Sequence, residues 1–172
     1  MVKIGEMLVA VSACPPEAVR QALHNQNFFG GRLGTNLLEL GAVEEEKLAY
    51  ALGRLFRLPS AWGAVLPDPR AISLVPRQLI DRFEVVPYAV DGRTLRLLVS
   101  DPTDLRAIDE ISFAIGKAVK PIIAPEARVW TLMREHYGIE RRLRGVGDLQ
   151  RRWAPRLQGR QSIARPLADD VW

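Results

Sequence analysis

The chain has 172 residues, with 24 Lys and Arg against 20 Asp and Glu, and 48% of its residues are hydrophobic. This length and composition allow a buried core and exclude global disorder. No run of about 18 apolar residues occurs, so no membrane span is predicted, and the acidic Glu6 comes too early for a secretory signal.

The net charge of +4 is confined to one end of the chain. Residues 1–138 hold 16 basic and 16 acidic side chains, whereas residues 139–172 hold 8 Arg and 4 acids. The first 138 residues are therefore electrically balanced, and the charge alone indicates no anionic partner for them.

Several classes of site are excluded by residue type. Cys14 is the only cysteine, so an internal disulfide cannot form, which is typical of a reducing cytoplasm. One cysteine with His24 and His136 cannot build a typical zinc site, and no metal site or cofactor is expected. The phosphate-binding loop pattern is absent, because Ala118 follows Gly116-Lys117.

A tandem repeat occupies the N-terminal third of the chain. Shifting the sequence by 29 residues places Lys3–Gln26 on Arg32–Leu55, and six of the 24 positions are then identical. The identical pairs are Gly5/Gly34, Leu8/Leu37, Ala13/Ala42, Glu17/Glu46, Ala22/Ala51 and Leu23/Leu52. Each copy begins with a cation, an apolar residue and a glycine.

Each copy is predicted to form two short helices joined by a turn. In the second copy a leucine stripe from Leu33 to Leu40 ends at Gly41, and Glu44–Glu46 open the next helix. The buried face of that next helix is predicted to be Leu48, Ala51, Leu52 and Leu55. In the first copy Pro15 and Pro16 start the second helix, a position that tolerates proline.

Residues 59–138 predict a small subdomain with the element order αββαβα. A helix is predicted over 71–83, and strands over 84–90 and 94–100 are joined by a hairpin signal at Asp91-Gly92. A helix over 105–115 with Gly116 as its end, a strand over 118–123 and a last helix from Pro125 to Gly138 complete the order. The predicted fold class is therefore α+β, with a helical bundle over residues 1–58 followed by this subdomain.

The tail over 139–172 is predicted to be separate from both subdomains. Its eight arginines lie among glycines and prolines, which is typical of a solvated linker. A weaker alternative is contact of Arg152-Trp153 with nucleic acid or an anionic membrane, and another is a short partner-binding helix over 147–157.

The two copies resemble the tandem motifs of the MshEN domain, the N-terminal part of type II secretion and type IV pilus assembly ATPases. The motif opens with R-L-G and continues with two apolar positions, a glycine, and then L, A-L and Q at fixed spacing. The resemblance covers residues 3–138 and implies that one cyclic di-GMP molecule binds across both copies, with one motif for each guanine-containing half.

The resemblance carries a set of predicted ligand-binding residues. They are Lys3, Ile4, Gly5, Leu8, Val9, Ser12, Val19, Leu23 and Gln26 of the first copy, and Arg32, Leu33, Gly34, Leu37, Leu38, Gly41, Leu48 and Leu52 of the second. Apolar side chains are expected to cover the guanine faces, while the cations and the amides near the glycines meet phosphates or rings.

Asp101 is a further predicted ligand residue with two interpretations. Its carboxylate suits the N–H donors on the edge of guanine, provided that the second subdomain faces the repeats. The competing interpretation is that Asp101 and Asp104 form the turn and cap that precede the helix over 105–115.

The copies depart from the motif at four positions. Lys3 replaces the arginine, Ile4 the leucine and Ser12 the glycine in the first copy, and Leu55 replaces the glutamine in the second. Lysine lacks the planar guanidinium fork, and serine does not enter the left-handed region as freely as glycine.

Two functions from different classes follow from these observations. One is a cyclic di-GMP-binding regulatory module that relays occupancy to a partner. The other is a ligand-free adapter that docks onto a secretion or pilus machinery protein, since the resemblance implies docking of this region at the inner membrane through such a partner.

No catalytic activity is predicted, because the sequence offers no nucleophile–base pair. The expected location is the cytoplasm, with no nucleic acid as ligand. A chain that ends at Trp172 without a motor domain is expected to be a small protein of its own, and an N-terminal piece of an ATPase is the alternative.

Overall fold

The computed structural model describes residues 3–141, and its first half consists of helices. Four helices follow one another, α1 (Ile4–Ala10), α2 (Pro16–Phe29), α3 (Leu33–Glu39) and α4 (Glu45–Phe56). These are the two helices predicted for each copy. The copies pack on each other, because α1 contacts α4 and α2 contacts α3.

The second half contains the three strands of the described chain. Its elements are α5 (Pro69–Leu74), α6 (Arg77–Phe83), β1 (Val85–Asp91), β2 (Thr94–Val99), α7 (Leu105–Ile115), β3 (Ala118–Ile123) and α8 (Glu126–Tyr137). The predicted α+β class is confirmed. None of the helices within residues 3–141 is long and apolar enough to cross a bilayer.

The single helix predicted over 71–83 is wrong, since two helices occupy this stretch. Val75 is extended, with φ −97° and ψ 128°, and Pro76 is the N-cap of α6. Proline disfavours the helical conformation in the residue before it and has no amide to continue the hydrogen-bond ladder. The helical spacing of apolar residues therefore continues across Pro76, although the helix itself is interrupted there.

The hairpin lies where it was predicted, but its turn residues are shifted by one. Asp91 pairs with Thr94, so Gly92 and Arg93 form the two-residue loop. Gly92 has φ +54°, which makes glycine suitable as the first loop residue.

The sheet has the order β1-β2-β3, with β1 antiparallel to β2 and β2 parallel to β3. Helix α7 forms the crossover between the parallel strands, as such a connection requires. Part of the outer edge of β3 is covered by Pro59–Ala61, because the Ile123 amide donates to the Pro59 carbonyl and the Ala61 amide to the Ile123 carbonyl, each at 2.9 Å.

Buried apolar side chains form two clusters, one on each half of the chain. The larger surrounds the sheet, with Leu95, Leu97 and Ile123 fully buried, and the smaller lies among the repeat helices around Leu8, Leu37 and Leu48. Ala127 of α8 belongs to the helical cluster, and Leu52 packs against both. The two halves are therefore joined by apolar contacts at α8 and α4.

A buried ion pair reinforces this junction. Arg128 of α8 donates to both carboxylate oxygens of Glu45 of α4, at 2.7 and 2.6 Å, and both side chains are less than a tenth exposed. Glu45 also accepts from the Gly63 amide at 3.2 Å. This bidentate geometry fixes the rotation of α8 against the repeats.

The first tail residues belong to the fold, which corrects the predicted boundary at Ile139. Ile139 is buried in the sheet cluster, and Arg141 donates to Glu84 at 2.6 Å and to Asp81 at 2.8 Å. The remaining seven arginines, and the alternative helix over 147–157, lie outside the described residues.

Candidate functional site

The two copies have the same backbone at their motif positions. Lys3 and Arg32 are the N-caps of α1 and α3, with φ/ψ of −86°/149° and −84°/156°. Ser12 and Gly41 follow these helices in the left-handed region, with φ +55° and +66°. The sequence repeat is therefore also a structural repeat, and Ser12 adopts the conformation that glycine takes freely.

The motif glycines allow the two helices of each copy to approach closely. A Cβ on Gly5 would lie 2.9 Å from Val19 Cγ1, and one on Gly34 would lie 3.0 Å from both Cδ atoms of Leu48. Val19 and Leu48 are equivalent positions of the repeat. The glycines therefore have a packing role that does not depend on a ligand.

Many of the predicted apolar ligand residues lie in the core. Leu8, Leu37 and Leu48 are at most 1% exposed, and Leu38 is also buried. In this arrangement these side chains contact other helices and leave no face for a guanine ring. This agrees with the general rule that leucine stripes form cores.

The other predicted ligand residues are accessible to different degrees. Lys3, Ser12, Leu23, Arg32 and Gly41 are exposed. Ile4, Val9, Val19, Gln26, Leu33, Gly34, Leu52 and Asp101 are partly exposed, and Gly5 is buried. Their binding of a ligand stays a prediction.

The predicted buried face of α4 is only partly correct. Leu48 and Ala51 are buried, whereas Leu52 and Leu55 are partly exposed. Leu55 replaces a glutamine that the first copy retains as Gln26, whose side chain donates to the Gly31 carbonyl at 2.8 Å.

A carboxylate accepts the N-cap amide in each copy, but from different parts of the chain. In the first copy the Lys3 amide donates to Glu6 at 3.3 Å, and in the second the Arg32 amide donates to Glu126 at 3.2 Å. Thr35 takes the position equivalent to Glu6, and its hydroxyl also donates to Glu126, at 2.7 Å.

The structure brings Arg32 and Asp101 together, although 69 residues separate them. The Arg32 Nη2 atom lies 3.0 Å from Asp101 Oδ2, and its Nε atom lies 3.6 Å from Glu126 Oε1. The cation of the second copy is therefore paired within the molecule by two carboxylates of the second subdomain.

Asp101 and Asp104 also make the local contacts of the capping interpretation. Asp104 is the N-cap of α7 and accepts from the Ala107 amide at 3.3 Å, while Asp101 accepts from the Thr103 amide at 3.0 Å and from its hydroxyl. Burial raises the pKa of Asp101, but the bonds from Thr103 and Arg32 outweigh burial and leave it below its ordinary value. Asp101 is therefore held as an anion facing Arg32.

A small cleft of about 210 Å³ adjoins this ion pair. Arg32 is the one lining residue from the repeats. The others, which include Arg82, Glu84, Asp101 and Asp104, come from the second subdomain. Ligand sites usually have volumes of about 300–1,000 Å³, so the cleft itself is too small for a dinucleotide. Within residues 3–141, no group of three His, Cys, Asp or Glu side chains is placed to hold a metal ion.

Sequence reasoning missed Glu126, Thr35 and Asn36. Glu126 is 94 residues from its partner Arg32, and an acid in the first turn of a helix is too common to indicate such a contact. Comparing the copies shows Glu6 opposite Thr35, a mismatch that indicates a missing carboxylate in the second copy. The Asn36 side chain donates to the Gly30 carbonyl at 3.1 Å and to the Arg32 carbonyl at 3.0 Å, which fixes the link between the copies.

Comparison with known proteins finds relatives in pilus assembly. The chain is 30% identical over 139 residues to the type IV pilus assembly ATPase PilB of Myxococcus xanthus, across 78% of this chain and 24% of that protein. It is 33% identical over 115 residues to PilB of Thermus thermophilus, across 63% of this chain and 13% of that protein. The chain thus spans about a quarter or less of these relatives' length.

Two solved structures share the fold. A structure of MshE with cdg (cyclic di-GMP) has a TM-score of 0.58 and 28% identity, and the match covers 80% of this chain and 100% of that one. The N-terminal domain of XpsE has a TM-score of 0.55 and 22% identity, with 78% and 94% covered. The XpsE likeness shows the fold alone.

The family model of the MshEN domain matches residues 56–143, slightly more than half of the chain. This match falls on the second subdomain, whereas the motifs on which the resemblance was based lie in the helices before it. The structural match to MshE extends to most of the chain, including part of the helical half. The chain therefore belongs to the MshEN domain family.

Proposed function

We propose that this chain is a regulatory module, not an enzyme, that binds cyclic di-GMP across its two repeat copies and relays occupancy to a secretion or pilus machinery protein. The observation that carries the proposal is the structural equivalence of the copies. Each presents an exposed cation at the start of its first helix, Lys3 in one and Arg32 in the other. A ligand with two similar halves suits two such positions.

The likeness to MshE, whose structure contains cyclic di-GMP, supports this choice of ligand. The exposed and partly exposed motif residues are the contacts we propose, principally Lys3, Leu23, Gln26, Arg32 and Asp101. The buried leucines would act by positioning the helices. The proposed location is the cytoplasm, with contact to the inner membrane only through the partner.

Isothermal titration of the full chain with cyclic di-GMP tests the proposal. We expect heat of binding in the wild type and at least about ten-fold weaker binding in Lys3→Ala, which removes a cation without a described ion pair. Arg32→Ala is expected to weaken binding as well. No heat and no competition at about 100 μM would exclude the function, since weaker affinity serves no cellular signal.

Arg20→Ala is the matched control for these variants. Arg20 is an exposed cation on α2, outside the motif positions, and its only described ion pair is with Glu17 of the same helix at 3.3 Å. Its removal changes the net charge equally, so a similar loss of binding would show that the titration measures general electrostatics.

The second candidate is a ligand-free adapter that docks onto a secretion or pilus machinery protein. The observation that favours it is the pairing of Arg32 with Asp101 and Glu126, which neutralises the cation of the second copy. If cyclic di-GMP does not bind, a pull-down that recovers a component of such a machine from the native host would support the adapter.

A further inference from the structure

We propose that Glu126 is a positioning residue of the second repeat copy, supplied from the second subdomain, so that this copy is completed only when α8 is docked. The inference deepens the proposed function, on which its ligand-binding part rests. It identifies how a ligand bound at Arg32 would affect α8, the last helix within residues 3–141.

The two copies differ in the residue that accepts the amide of the N-cap. In the first copy, Glu6 lies within α1 and accepts the Lys3 amide, so the N-terminus of α1 is capped by a residue of the same copy. In the second, the shorter Thr35 replaces Glu6, and its hydroxyl donates to Glu126 and does not accept the Arg32 amide. Glu126 takes over that role from α8.

Three groups of the second copy converge on the Glu126 carboxylate. Its carboxylate accepts from the Arg32 amide at 3.2 Å and the Thr35 hydroxyl at 2.7 Å, and it lies 3.6 Å from Arg32 Nε. The Glu126 side chain is 9% exposed, and Thr35 is buried. Such a shielded carboxylate holds its donors more firmly than one on an open surface.

Glu126 lies where α8 is anchored to the repeats. It is the first residue of α8, and the next two residues anchor that helix to the repeats, Ala127 through the helical cluster and Arg128 through Glu45. Displacement of α8 would therefore remove Glu126 from Arg32. By thermodynamic linkage, a ligand that changes the contacts of Arg32 changes the docking of α8.

Hydrogen exchange of the full chain without ligand is the first test. Glu126→Gln keeps the shape and removes the charge, and we expect exchange at residues 32–36 and in the first turn of α8 to rise about ten-fold. Glu135→Gln, on the exposed side of the same helix, should leave both segments unchanged. Unchanged exchange in Glu126→Gln would overturn the proposal.

A second variant keeps the test valid if Glu126→Gln perturbs the fold. Thr35→Val removes only the hydroxyl donor at nearly constant volume. If Thr35 acts through Glu126, the double variant exchanges no faster than Glu126→Gln alone. If the increases in exchange rate caused by the two substitutions multiply in the double variant, the two residues act independently, which would contradict the proposal.

Cyclic di-GMP titration and exchange with ligand form the last test. In the wild type, ligand is expected to alter exchange in the first turn of α8. In Glu126→Gln we expect about ten-fold weaker binding and no response in α8, changes that a merely structural role would not produce. An unaltered affinity or an α8 response that persists would overturn the relay. If the wild type does not bind, the proposed function fails, while the ligand-free exchange still decides the role of Glu126.

Discussion

Ser12 and Gly41 occupy the same left-handed turn in the two copies. In the first, the Ser12 amide donates to the Val9 carbonyl at 2.9 Å and the Ala13 amide to Leu8 at 2.8 Å. The second repeats this pattern from Gly41 and the next residue, each at 3.0 Å. These are the two hydrogen bonds of a Schellman motif, in which glycine is the favoured residue. The turn is therefore kept in the first copy at the expense of backbone strain.

Ser12→Gly is expected to stabilise the protein by about 1 kcal/mol, because the left-handed conformation costs a residue with a Cβ roughly 1–2 kcal/mol and glycine loses part of that gain through its unfolded-state entropy. Urea denaturation followed by circular dichroism measures the change. The reciprocal Gly41→Ser should destabilise the protein by a similar amount. Equal midpoints for Ser12→Gly and wild type would show that the φ of +55° carries no penalty.

At the scale of elements, the repeat is a pair of helices held close by a glycine. The contacts of Gly5 with Val19 and of Gly34 with Leu48 occur at equivalent positions, so the same solution is used twice. The basic-apolar-glycine triplet is thus explained in part by packing, while the cation that precedes the glycine faces solvent. One motif therefore combines a structural requirement with a predicted functional one.

Gly34→Ala is expected to destabilise the protein by about 1–3 kcal/mol, because the new methyl group would lie 3.0 Å from two carbons of the fully buried Leu48. Thermal or urea unfolding measures the loss. Combining Gly34→Ala with Leu48→Ala tests the mechanism, since the methyl group would then fill part of the space vacated by leucine. We expect the double variant to be more stable than the sum of the single effects predicts, and simple additivity would contradict the assigned contact.

At the scale of the molecule, two polar links join the repeats to the second subdomain. One is the buried Arg128–Glu45 pair, and the other is the group of Arg32, Thr35, Asp101 and Glu126 at the N-terminus of α3. The first is shielded from solvent, whereas the Arg32 side chain of the second is 48% exposed. A ligand that contacts Arg32 would therefore compete with the exposed link and not with the buried pair.

Glu45→Gln is expected to destabilise the protein by about 3–5 kcal/mol, because it removes the charge of the carboxylate that pairs with the buried Arg128 guanidinium. The free energy of unfolding measures this loss. Glu45→Gln combined with Arg128→Met removes the charge as well and should recover a substantial part of the stability. A double variant as unstable as the sum of the two single variants would show that the pair is not coupled.

The sequence by itself determined the features that depend on neighbouring residues. The repeat, the glycine turns, the strands and the cap at Asp104 follow from periodicity, left-handed glycine and short-range hydrogen bonding, all of which are visible within a few positions. The break in the helix predicted over 71–83 is also a local effect, because Pro76 disfavours the helical conformation in the residue before it.

Only the tertiary structure decided what each motif residue contacts. The sequence does not identify Asp101 and Glu126 as the partners of Arg32, because pairing across 69 and 94 residues depends on how the two subdomains pack. The same packing buries Leu8, Leu37 and Leu48 and leaves Lys3 exposed, although all four belong to one motif. The repeat of period 29 determines which positions are equivalent. The burial and the charge pairing of each position depend on which helices and strands pack against it.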